Sequence, residues 1–164
     1  MADVYYNDWD SLVKAAENSA KKILETDVAP VAKEILAKHI KSDIYDAYTP
    51  KENGWVTPAG EPTTYTRRHV LENSITSYML GDNRTLLITS TATASKAIVP
   101  GYSFRNRYDG SFLKLLEVGD MGIWSGGFPR PAVKNTQDEF DKGTKINRAI
   151  KNGIKREIGN YTEI

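Results

Sequence analysis

Between Asp10 and Ile44 the apolar residues Leu12, Ala15, Ala16, Ala20, Ile23, Leu24, Val28, Val31, Ile35, Leu36, Ile40 and Ile44 recur mostly three or four positions apart. Side chains at that spacing share one face of a helix, so the period predicts an amphipathic helix whose stripe faces a core. Asp10 or Ser11 is available as its N-cap. Pro30 interrupts the run, removing one amide donor and crowding the carbonyl four residues back. Because the stripe stays in phase on both sides, the pattern predicts one long helix kinked at Pro30 rather than two helices.

Residues 48–64 contain Pro50, Pro58 and Pro62 together with Gly54 and Gly60, a density at which neither helix nor sheet is expected to persist. They read as an extended loop after the first helix. Trp55 within it is a large apolar group with no local core to enter, which marks the loop as a docking element.

Two β-rich runs follow, Ile75 to Leu80 and Leu86 to Ala94, separated by Gly81-Asp82-Asn83. Such residues reach positive φ readily, so a hairpin is expected. Alternation along the second strand puts Leu86, Ile88, Ser90, Ala92 and Ala94 on one face and Leu87, Thr89, Thr91 and Thr93 on the other. The threonine-rich face is expected to meet water or a second subunit. Residues 95–110 read as irregular, and Phe112 to Gly119 as a short apolar segment. Pro129 and Pro131 introduce a final helix, along which Val133, Phe140, Ile146, Ala149, Ile150, Ile154 and Ile158 form a stripe weakened by Gly143 and Gly153. Together these describe an α+β fold: a long N-terminal helix and a C-terminal helix packed on a small antiparallel β-sheet.

At 164 residues the chain suits a single domain spanning 1–164. Lys and Arg number 22 against 21 Asp and Glu, so no global field draws it to nucleic acid or an anionic membrane. The absence of cysteine removes disulfides, thiolate metal sites and a cysteine nucleophile, and suits a reducing compartment. Neither an export signal nor a run of transmembrane length stands out.

Catalytic constellations are equally hard to build. The glycines of Gly119-Asp-Met-Gly-Ile-Trp-Ser-Gly-Gly127 are wrongly spaced for a phosphate loop and no lysine follows them. His39, with Asp43 one turn on, reads as a partly buried helix histidine. His69 and Glu72 have a spacing that can share a metal, but no third ligand is evident. No Ser lies in a nucleophile turn. The reading is therefore non-enzymatic, with no catalytic residue, metal or cofactor.

Nucleic-acid binding has more support. Tyr65-Thr-Arg-Arg-His69, with Arg67 and Arg68, and Tyr102-Ser-Phe-Arg-Asn-Arg-Tyr108, with Tyr102, Phe104, Arg105, Arg107 and Tyr108, alternate cations with rings able to stack bases. An accessory protein binding nucleic acid through these loops is the alternative function. Seven further basic residues lie between Lys134 and Arg156. They read as a solvated helix face, acidic residues first and basic residues last, as a single helix dipole prefers.

Three local patterns, in this order of elements, resemble the tail-completion or neck proteins of long-tailed bacteriophages, a head-tail joining, minor capsid-like family. Leu71, Ser74 and Ile75 match its entry into the first strand; Glu117 and Gly119 match its Glu-x-Gly segment; Arg130 and Pro131 match its entry to the last helix. Two features depart from the pattern: no glycine follows Pro62 ahead of the first strand, and residues 95–110 are longer. The resemblance implies a virion structural protein, from a phage or prophage, that is present in the host cytoplasm during assembly. It would be a subunit of a six-fold ring at the head-tail junction. Its partners would be copies of itself and neighbouring connector and tail proteins, with no membrane and no nucleic acid except DNA passing through the ring. Trp55, Arg67, Arg68, Tyr102, Phe104, Arg105, Arg107, Tyr108 and Trp124 are the candidate interface residues. Glu117 and Arg130 are expected to satisfy backbone groups or to pair with each other.

Overall fold

The computed structural model describes residues 8–47, 55–56, 62–63, 69–81, 84–92, 113, 117 and 130–158. The expected long helix is present, and it runs without a break from Trp9 to Asp46. It comprises α1 (Trp9–Ile23), a π-turn (Leu24–Val28), α2 (Ala29–His39) and a second π-turn (Ile40–Asp46). Its N-cap lies earlier than expected, at Asp8, whose carboxylate accepts from the Ser11 amide at 2.8 Å and the Ser11 hydroxyl at 2.9 Å. Those bonds, led by the amide, hold the Asp8 carboxyl below its ordinary range.

Widened turns explain how the stripe passes Pro30. The Ala29 amide donates to the Leu24 carbonyl, five residues back rather than four, which relaxes the turn that the Pro30 ring would otherwise crowd. The buried positions follow suit across the first π-turn: Ile23 is succeeded by Val28, five residues on, after which Ala32, Leu36, Ile40 and Ile44 recur at four.

Within 48–64 there is a minimal ladder, β1 (Trp55–Val56) antiparallel to β2 (Pro62–Thr63), with Trp55 opposite Thr63 and Val56 opposite Pro62. Pairing two residues long escapes the breaking effect of the prolines that flank and end it. A single turn, α3 (Val70–Asn73), leads into the hairpin β3 (Ile75–Met79) and β4 (Leu86–Ser90). The Leu80 amide donates to Thr85 and the Thr91 amide to Ser74, bonds that bracket an antiparallel pair in constant register.

The C-terminal segment differs from the sequence expectation, because it is two helices, α4 (Ala132–Asp141) and α5 (Thr144–Ile158). Gly143 makes the break. Its φ of +72° is the left-handed conformation glycine adopts cheaply at a helix end, and its carbonyl accepts the Asn147 amide at 2.7 Å to start α5.

Two compact units are present. One contains Met1–Lys33, Ser77–Ile88 and Lys142–Ile164; the other Glu34–Thr76 and Thr89–Asp141. The core of the first is Ile23, Val28 and Ala149, against which Leu24, Val31, Leu86, Ile146, Ile150 and Ile154 pack, joining helix, strand and C-terminal helix. In the second, Ile35, Leu36, Ile40, Ile44, Leu71, Ala92, Leu113 and Ala132 are buried.

Candidate interaction surfaces

The second unit is anchored where the two π-turns' downstream member meets α3 and α4. Leu71 is 1% exposed; its amide donates to the Tyr45 hydroxyl at 3.2 Å, and its carbonyl accepts from Ser90 Oγ at 3.0 Å. Ser74 receives the Thr91 amide, and Ile75 opens β3. Thus Leu71, Ser74 and Ile75 are a packing motif, positioned by the turn before the hairpin.

Glu117 and Arg130 act on backbone. The two Glu117 carboxylate oxygens accept from the Val133 and Lys134 amides at 2.9 and 3.0 Å, satisfying first-turn donors of α4 that have no partner inside the helix. Arg130 Nη1 donates to the Ile44 carbonyl at 3.1 Å. Pro131, exposed, supplies the carbonyl that accepts from Asn135. Residues 117 and 130–131, fourteen positions apart along the chain at most, therefore converge on one helix start. Gly119 lies outside the described residues.

His39 is held as a structural histidine. Its Nδ1 lies 3.1 Å from Asp43 Oδ2 and its Nε2 3.0 Å from Glu139 Oε2, with the side chain 14% exposed. Asn135 Nδ2 also donates to Asp43 Oδ2, at 2.8 Å, and Lys38 Nζ to Glu139 Oε2, at 2.6 Å. Burial pushes the Asp43 carboxyl up, but hydrogen bonds from Ser42, Asn135 and His39 outweigh it and leave it below the ordinary range. Lys38, and then His39, lower the Glu139 carboxyl. His69 is turned to similar use: its ring meets Tyr45 edge-on at 4.9 Å, and Nδ1 lies 3.2 Å from Glu72 Oε2.

Among the interface candidates, Arg67, Arg68, Tyr102, Phe104, Arg105, Arg107, Tyr108 and Trp124 lie outside the described residues, and for Trp55 the description covers the backbone alone. The described groups of exposed apolar side chains are elsewhere, in the first unit, while Val133 of the second is exposed singly. On the outer face of the hairpin Tyr78, Leu80 and Leu87 are 47%, 41% and 38% exposed. This is the threonine-bearing face of β4, with Thr91 also exposed. The start of α1 presents Trp9, Leu12 and Val13, one helical face, at 79%, 38% and 48%. Glu17 of α1 and Arg84 of the hairpin end form an ion pair. Sequence reasoning overlooked Trp9 and Tyr78, although the i, i+3, i+4 spacing of Trp9, Leu12 and Val13 ahead of the core stripe was a usable signal.

Among the described residues no group of three or more His, Asp or Glu could hold a metal ion, and no described helix is long and apolar enough to cross a membrane. A family model described as YomN matches residues 8–156, nearly the whole chain, which is consistent with the phage tail- and neck-associated resemblance and with a non-enzymatic protein. Neither the search of curated proteins nor that of solved structures gave a match.

Proposed function

This chain belongs to the YomN family, and on that premise we propose that it is a structural protein of a phage or phage-like particle, joining or completing the tail at the head-tail interface as a ring subunit. A ring is a head-to-tail assembly, so each subunit presents two different surfaces to its neighbours. The observation that carries the reading is the pair of exposed apolar faces in the first unit, Trp9, Leu12 and Val13 on α1 and Tyr78, Leu80 and Leu87 on the hairpin. Scattered apolar side chains on a surface are ordinary, but faces of several adjacent ones are where protein partners bind. The occupant is a second copy of the chain, with connector and tail proteins above and below it in the particle. The chain would then reside in the virion, having assembled in the host cytoplasm.

Deleting the gene from the genome that encodes it and viewing the particles by negative-stain electron microscopy tests this role. Separate heads and unjoined or defective tails are the expected outcome. Intact, infectious particles would overturn it.

A further inference from the structure

The break at Gly143 leaves the basic residues of the C-terminal segment without the explanation that a single helix dipole offered. Lys145 sits in the first turn of α5 and Arg148 in its N-terminal half, where the positive end of the dipole disfavours cations. Only Lys155 and Arg156 fall in the last turn, and Arg156 is engaged with Asp27 and Glu157. The dipole of α5 therefore does not account for the position of Lys145 and Arg148.

Their arrangement is regular. Lys145, Arg148, Lys151 and Lys155 are all exposed, and at about 100° per residue they fall within an arc of roughly 120°, opposite the Ile146, Ile150 and Ile154 side that packs on the core. From Lys145 to Lys155 the stripe extends about 15 Å. Glu157 is the sole acid of α5 and projects on the buried side, bonded to Lys22. The remaining exposed residues of α5 are Thr144, Asn147, Asn152 and Arg156.

We propose that the exposed face of α5 binds the phosphate backbone of double-stranded DNA without sequence preference. Four cations in about 15 Å approach the charge spacing of one DNA strand, about one phosphate per 3.4 Å of axis. The flanking Asn147 and Asn152 are suited to phosphate oxygens. Insertion into a lipid surface does not fit, because the apolar side that an interfacial helix buries is covered here. A protein partner would require an apolar centre in the interface, which this face lacks. With no ring among its exposed residues, the face has nothing to stack on unpaired bases. The choice of DNA over an RNA duplex rests on the proposed virion role.

Fluorescence anisotropy of the purified full chain with a labelled duplex of arbitrary sequence, from 20 to 200 mM salt, tests this. The expected log-log slope is about −3 to −4, roughly −0.9 per neutralised phosphate, so that affinity falls about a thousandfold or more across the range. Neutralising the stripe (K145Q, R148Q, K151Q and K155Q together) abolishes binding at 50 mM salt, and R148Q or K155Q alone flattens the slope by about one. K14Q, on α1, changes nothing. The single variants retain a readout should the fourfold one fold poorly. No binding at 20 mM, unchanged binding by the stripe variants, or preference for single strands or an RNA duplex would each overturn the inference. Because no particle takes part in the assay, its failure leaves the assembly role to be decided separately.

Discussion

A Cβ placed on Gly153 would lie 2.6 Å from Ile23 Cγ2 and 2.9 Å from Asp27 Oδ2, so α5 crosses the end of α1 at a distance that only a glycine admits. Ile23 is buried, in the core with Val28 and Ala149. Ala in place of Gly within a helix ordinarily gains about 1 kcal/mol, whereas forcing one extra carbon into a packed core costs about 1–3 kcal/mol. At these separations the clash wins. Gly153→Ala is expected to lower stability by about 1–2 kcal/mol in denaturant unfolding, and Ile23→Ala in the same chain should recover part of that loss through favourable coupling.

Glu117 caps α4 from outside the helix, through two bonds to backbone amides. Glu117→Ala should therefore cost about 1–2 kcal/mol, the scale of a lost N-cap, and Glu117→Gln less, since one amide oxygen can still accept. Exchanging the charges of Glu117 and Arg130 should restore nothing, because a guanidinium cannot accept from an amide. Thermal unfolding of the three variants distinguishes these outcomes, and recovery in the exchanged protein would contradict the cap.

Acid should loosen the second unit. Asp43 and Glu139 are both held below their ordinary carboxyl range in the folded chain. A depressed folded pKa contributes stability above the ordinary value and loses it as pH falls toward and through the folded one. The melting temperature should therefore decline below about pH 4.5, the upper end of the ordinary carboxyl range, and Asp43→Asn should start lower and decline less steeply. Parallel curves for the two proteins would show that Asp43 contributes nothing to the acid sensitivity.

Leu87→Lys alters an exposed side chain and should change stability by no more than about 0.5 kcal/mol, while weakening self-association in sedimentation velocity. Trp55→Ala tests the loop in the same way. Association unaffected by one of these changes would remove that surface from the subunit contact.

Periodic features were legible from residues alone. Leu12 through Ile44 and Ile75 through Ala92 announce a helix and a hairpin because burial imposes a repeat on local sequence. The continuation of the helix past Pro30 was legible too, since the stripe on either side outweighed the break, although the π-turn that accommodates it was not. The cap on α4 was not legible in detail, because Glu117 acts on amides sixteen and seventeen residues away, a distance no local pattern spans. Gly143 and Gly153 look alike in sequence yet do opposite things, one ending a helix through positive φ and the other admitting Ile23 to its surface. Telling them apart requires knowing what lies across from each. His39 carried a partial signal, since Asp43 is one turn away, but Glu139 comes from 100 positions further on.

The widened turns at Leu24–Val28 and Ile40–Asp46 also bear on how this chain tolerates changes of length. A π-turn is an α-turn with one residue inserted, accommodated without rotating the helix on either side. Removing a single exposed residue such as Glu25 or Lys41 should revert the local hydrogen bonding to the four-residue pattern and leave Ile23, Val28, Ile35 and Ile44 facing inward. The same deletion between Leu12 and Ala20 would swing every preceding side chain by about 100°. Indel variation is thus expected to be confined to two short windows of an otherwise length-locked helix.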